Sequence, residues 1–126
     1  MNWIRIDQLL KNCWKQAGAE FLEADPRLRD YFEFLSRYDG AEGFLRTDRY
    51  IVLWSALQIR ELNHAYRVAD FAPDVLLIGT DGGATGFGID QITGRYMSVP
   101  MIGMSRKASK DEGATFEEFL ERLASQ

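Results

Sequence analysis

The sequence predicts a single α+β domain, a twisted and mainly antiparallel sheet flanked by helices, with a mixed sheet left open. Three observations lead there. Apolar residues recur at steps of three and four in several segments, the mark of amphipathic helices. Between these lie short β-rich runs separated by turn dipeptides. The connections between the runs are of hairpin length, which favours antiparallel pairing with helices packed on the sheet. The chain has 126 residues, the size of one ordinary domain. With 46% hydrophobic and 27% charged residues it has a globular rather than a disordered composition.

Taken in order, Ile6, Leu9, Leu10, Cys13, Trp14 and Ala17 fall on one face of a first helix, which Gly18 stops. Residues 19–24 fit either a helix tail or extended chain. Asp25-Pro26 reads as an N-cap followed by proline at the first helical position. Leu28, Tyr31, Phe32, Leu35 and Tyr38 then continue at helical spacing, and Asp39-Gly40 ends that helix. Residues 42–45 and 50–54 are short strands joined by a Thr47-Asp48 turn. Ser55 caps a third helix running to about Tyr66, with Leu57, Ile59, Leu62 and Tyr66 facing inward.

From Pro73 the chain reads as a meander. Residues 75–78 are an apolar strand, and Asp81-Gly82-Gly83 is a strong turn signal. In the strand 85–90, Phe87 and Ile89 share a side. Thr93-Gly94 turns the chain again into a strand at 96–100, where Tyr96, Ser98 and Pro100 oppose Met97 and Val99. Residues 104–113 are polar and read as a loop. Thr115 and Glu118 make a capping box for a last helix burying Phe116, Phe119, Leu120 and Leu123.

The residues that carry chemistry are few. His64 is the one histidine and Cys13 the one cysteine. Cys13 lies on an apolar face and reads as a small buried hydrophobe, His64 as a surface or helix-end residue. One Cys and one His in different helices supply no zinc cluster, and Asp81, Thr85 and Asp90 match no calcium-loop spacing. The run GTDGGATGFG lacks a Walker lysine and leads into a strand, so it reads as a hairpin rather than a phosphate cradle. Asp74, Asp81 and Asp90 could approach one another across the meander as a metal-dependent enzyme would need, but turn carboxylates are more often solvated caps. Arg106, Lys107 and Lys110 read as a solvated loop, with contact to an anionic group on a partner as the alternative.

The formal charge of −4 argues against non-specific nucleic-acid binding and favours a basic partner. Asp7 and the polar residues after Leu10 interrupt the apolar run, which argues against a signal peptide, and no apolar stretch is long enough to span a membrane. A lone cysteine suits a reducing cytoplasm.

Several segments together resemble the SUKH superfamily, in its Smi/Knr-like branch. YFEFLSRYDGAEGFL, residues 31–45, resembles that family's aromatic helix running through an Asp-Gly turn into a strand. LWSALQIRELNHAY, residues 53–66, resembles its strand, capped helix and helix-borne asparagine, here Asn63. DVLLIGTDGGATGFGIDQITGRYMSVP, residues 74–100, is similar to its core hairpin, and TFEEFLERL, residues 115–123, to its closing helix. The resemblance spans about 24–123. It departs where the family often has Leu-Pro before its first helix and this chain has Asp25-Pro26. The resemblance implies a protein-interaction scaffold with no cofactor and no catalytic residues. Many bacterial members are similar to immunity proteins that neutralise a toxin domain, often a nuclease, and fungal relatives regulate cell-wall synthesis through partners. A non-catalytic protein-binding domain is therefore expected, with a cognate toxin domain as partner. A regulatory interaction domain and a metal-dependent enzyme are the alternatives. The residues expected at the interface are Asp39, Glu42, Tyr50, Asp81, Asp90 and Tyr96, with Tyr66 as a further aromatic anchor if exposed.

Overall fold

Turn chemistry and alternation fold the chain into one α+β unit. The computed structural model describes residues 1–18 and 25–126. Among the described residues, seven strands form an open antiparallel sheet in strict chain order. They are β1 (Cys13–Ala17), β2 (Tyr38–Arg46), β3 (Arg49–Leu53), β4 (Val75–Thr80), β5 (Thr85–Asp90), β6 (Tyr96–Pro100) and β7 (Lys110–Gly113). The helices are α1 (Trp3–Leu9), α2 (Arg29–Arg37), α3 (Ala56–Ala65), α4 (Val68–Phe71) and α5 (Phe116–Ser125). No described helix is long and apolar enough to cross a membrane.

One face of the sheet, here the inner face, packs on α2 and α5, and α1 packs against α5. Phe87 meets Phe119 edge-on at 5.3 Å between ring centroids, Tyr96 stacks on Phe119 at 5.1 Å, and Phe34 packs on Phe116 at 4.4 Å. These rings are fully buried and make the centre of one core. The outer face differs along its length. Over β4–β6 it is buried: Val75, Leu77 and Val99 lie beneath α4 and residues 101–104, and Met101 presses on Gly86. Over β1–β3 it is open.

The two halves meet at a narrow seam. Strands β3 and β4 register only at Val52–Thr80 and Leu53–Gly79, extended by the Trp54 N–H bonding to the Ile78 carbonyl at 2.8 Å. Gly79 makes this approach possible, because a Cβ there would stand 2.0 Å from the Val52 carbonyl oxygen. Beyond the seam the strands part. Asn63 of α3 then substitutes for β3, donating to the Leu77 carbonyl at 2.8 Å and accepting from the Leu77 N–H at 2.9 Å. The outermost strands each have a main-chain carbonyl engaged by a cation. Lys15 donates to Cys13 and Leu10, both at 2.9 Å, and Arg122 donates to Asp111 at 3.2 Å.

Several sequence expectations need correction. The first helix stops at Leu9, and Cys13, Trp14 and Ala17 belong to β1. Cys13, Trp14 and Ala17 continue the helical spacing, and it is the ladder to β2 that makes residues 13–17 a strand. Asp25-Pro26 opens a turn rather than α2. The Asp25 carboxylate accepts the Arg27 N–H at 2.9 Å, and Leu28 is the N-cap. Tyr38 is already extended, so Asp39-Gly40 lies inside β2 instead of ending a helix. On α3, Ile59 is buried but Leu57 and Tyr66 are exposed. Residues 104–113 are not all loop, since they hold a 3₁₀ turn (Arg106–Ala108) and β7. Glu118 accepts from the Ala114 N–H, one residue ahead of the expected partner, while Thr115 caps the Glu118 N–H as expected. The expectation for residues 19–24 lies outside the described residues.

Candidate functional site: the open half of the outer face

Alternation along three strands builds the site. Trp14, Glu42 and Val52 are cross-strand neighbours in one row, and Phe44 faces Tyr50 in the next. Their in-between partners Cys13, Ala41, Ile51 and Leu53 are buried on the inner face. The two rows together present two exposed aromatics, Trp14 at 64% and Phe44 at 48% exposure, beside a carboxylate. The start of α3 borders it with Ser55, exposed Leu57 and Gln58, forming a groove with Gln16, Asp39 and Gly40.

Tyr50 is held in place. Its ring meets Phe44 edge-on at 4.9 Å, and Gly82 backs it so closely that a Cβ there would lie 3.0 Å from the ring. Gly82 also has φ of 84°, a left-handed conformation that a side chain would strain. The Tyr50 hydroxyl donates to Glu42 Oε2, and this bond raises the phenol pKa above its ordinary value.

The structure unites two of the expected interface residues and separates the others. Glu42 and Tyr50 form the centre of the face. Asp39 borders the same groove, though one oxygen accepts the Ala56 N–H at 2.8 Å and so caps α3. Asp81 stands at the turn beside Tyr50, with Oδ1 occupied by the N–H groups of Gly83 and Thr85. Asp90 and Tyr96 do not belong to a surface and are corrections. Asp90 is 8% exposed and bound to Arg106 at 2.9 Å. Burial pushes its pKa up, but the Arg106 bond and the Ile92 N–H outweigh that and leave it lowered. Tyr96 is 1% exposed, its hydroxyl donating to Asp30 at 2.9 Å; burial, then Asp30, lift its pKa well above the ordinary phenol value. Both faces of β6 are covered, which alternation alone does not reveal. Tyr66 is exposed but stacks on Trp54, away from the groove.

The other candidates resolve locally. Asp81 lies at the far end of β4 from Asp74 and Asp90, roughly 20 Å away along a six-residue strand, so the three acids do not converge. Among the described residues no three His, Cys, Asp or Glu side chains group as metal ligands. The glycine-rich run is the β4–β5 hairpin, and its own side chains occupy its N–H groups: Thr80 accepts from Gly82, Asp81 from Gly83 and Thr85. Cys13 is buried, which raises its thiol pKa against the pull of Lys15, the opposite of an activated nucleophile. His64 is exposed near the end of α3. Of the basic trio, Arg106 is drawn to Asp90 and the Pro73 carbonyl, and Lys107 and Lys110 are exposed.

Sequence reasoning missed Trp14, Phe44 and Val52. The apolar run 50–53 does not alternate in sequence, so the outward face of Val52, and of Phe44 opposite Tyr50, shows only in the strand register. Trp14 was concealed by its helical spacing to Leu10 and Ala17. The chain matches no protein-family model and no curated protein.

Proposed function

We propose that the chain is a non-catalytic protein-binding domain of the SUKH type, acting as an immunity protein whose open sheet face covers a basic toxin domain. One observation carries the reading: Trp14 and Phe44, two large aromatics, stand exposed on the sheet beside Glu42, while the same face over β4–β6 is buried but for Thr80. Aromatic anchors around a polar centre are what a tight protein interface needs. The acids on and beside the face and the net charge of −4 suit a basic partner, because complementary charge speeds encounter and rejects wrong partners. The resemblance to the SUKH superfamily rests on the order of its segments from the aromatic helix to the closing helix.

The test is growth rescue. Co-expression with a toxin domain encoded beside this gene is expected to restore growth, and the double variant Trp14→Ala/Phe44→Ala is expected to lose rescue while remaining folded by circular dichroism. Absence of rescue by the wild-type chain removes the immunity role. Undiminished rescue by the folded double variant removes the open face as the interface.

A further inference from the structure

We infer that Trp14, Glu42 and Tyr50 form a seat for an arginine side chain presented by the partner. This rests on the open face being the interface and states what the face recognises. The support lies within the molecule. Where α1 meets the end of α2, Asp7 pairs with Arg37 at 2.7 Å, and the Tyr38 hydroxyl donates to the same carboxylate at 2.7 Å. The Arg37 guanidinium lies over the Trp3 ring, 5.0 Å from its centroid, and 5.4 Å from that of Tyr38. A carboxylate, a phenol that donates to it and an indole thus hold one guanidinium. Each group answers one need of that cation: charge-assisted hydrogen bonds, a fixed acceptor and a flat π-face.

The open face repeats the three groups. The Tyr50 hydroxyl donates to Glu42 Oε2. Trp14 sits directly opposite Glu42 in the β1–β2 ladder, which places their Cβ atoms roughly 5 Å apart. Here no guanidinium of the described residues takes the place that Arg37 has at Asp7. Among the described residues Glu42 makes no ion pair and its Oε1 accepts no hydrogen bond. The arginines nearest in sequence are committed elsewhere: Arg46 to Asp48 and the Ala124 carbonyl, Arg49 to the Leu123 carbonyl and Gln126. Phe44 and Gly82 fix the phenol, so little ordering remains for the moment of binding. Arginine fits better than lysine because guanidinium is more weakly hydrated, stacks on an indole and donates through a fork.

The probe is an acetylated and amidated Gly-Arg-Gly peptide, with citrulline and lysine counterparts, titrated into the ¹⁵N-labelled full chain. The indole N–H signals of Trp3, Trp14 and Trp54 give the readout, with Trp14 assigned from a Trp14→Phe variant. The arginine peptide is expected to shift the Trp14 indole with a millimolar midpoint and leave those of Trp3 and Trp54 in place. Citrulline, which keeps the shape and loses the charge, is expected to bind at least about tenfold more weakly, lysine about threefold more weakly, and Glu42→Gln to weaken the arginine peptide about tenfold. An unmoved Trp14 signal, equal binding of citrulline, or an unchanged midpoint in Glu42→Gln would each overturn the inference. The peptide reads local chemistry and the growth assay reads cellular role, so either can fail while the other stands.

Discussion

The two halves of the sheet share one architecture and differ in what covers them. Strands β4–β6 are buried on both faces, and their sequences run VLLIGT, TGFGID and YMSVP, with apolar or small residues at nearly every position. Strands β1–β3 are covered on the inner face only. There the pattern alternates, Ala41 and Gly43 against Glu42 and Phe44, Ile51 and Leu53 against Tyr50 and Val52. The comparison teaches that the halves are alike on the inner face and are told apart by what covers the outer one. Both halves contribute side chains to the one core, and the singly covered half also holds Trp14 and Phe44 out to solvent.

The largest expected effect comes from truncating one aromatic in each half. Phe87→Ala empties a buried site against Phe119 and is expected to cost about 3–5 kcal/mol of unfolding free energy. Phe44→Ala, on the open face, is expected to cost about 1 kcal/mol or less. Urea denaturation of both variants measures the contrast, and equal losses would contradict the division. A middle-sized effect is expected at the seam. Gly79→Val forces a side chain against the Val52 carbonyl and is expected to cost about 2–3 kcal/mol. Amide hydrogen exchange should show protection lost first in β3 and at the start of α3, where the halves join.

The smallest effect belongs to the exposed edge strand β7, next to the covered half. Asp111 bonds Arg95 at 2.7 Å and Arg122 at 3.0 Å, and these arginines, Arg95 foremost, draw its pKa down to about 2 against a smaller opposing effect of burial. A carboxyl lowered in the folded state stabilises above its unfolded pKa of about 3.9 and loses that contribution as pH falls towards 2. The side chain is 49% exposed, so screening keeps the contribution below about 1 kcal/mol. Urea midpoints of wild type and Asp111→Asn should differ at pH 6 and converge near pH 2.

How much of this was legible follows the range of the signals. The β4–β5 and β5–β6 hairpins were readable because Asp81-Gly82-Gly83 and Thr93-Gly94 are local turn chemistry. The caps at Ser55 and Thr115 were readable for the same reason. Strand β1 was not, because its apolar residues follow helical spacing and only pairing with the distant β2 makes it a strand. Glu42 and Tyr50 were named from their residue types, yet what joins them is a diagonal cross-strand contact that depends on register. Tyr96 was misplaced since its strand alternates correctly while helix α5 and the Asp30 carboxylate enclose it. The role of Asn63 as a stand-in for a missing strand depends on where β3 and β4 diverge, which no local pattern encodes.

The cations at the outermost strands carry a consequence for the molecule in a crowded cell. An open sheet invites further strands from other chains, which would stack into fibres through the same ladder that holds the fold together. Lys15 at one margin and Arg122 at the other bind main-chain carbonyls of the outermost strands, and each sets a charge beside the edge that such a strand would approach. The sheet can thus stay unclosed without becoming a template, and lateral growth is discouraged while the aromatic face stays open to solvent.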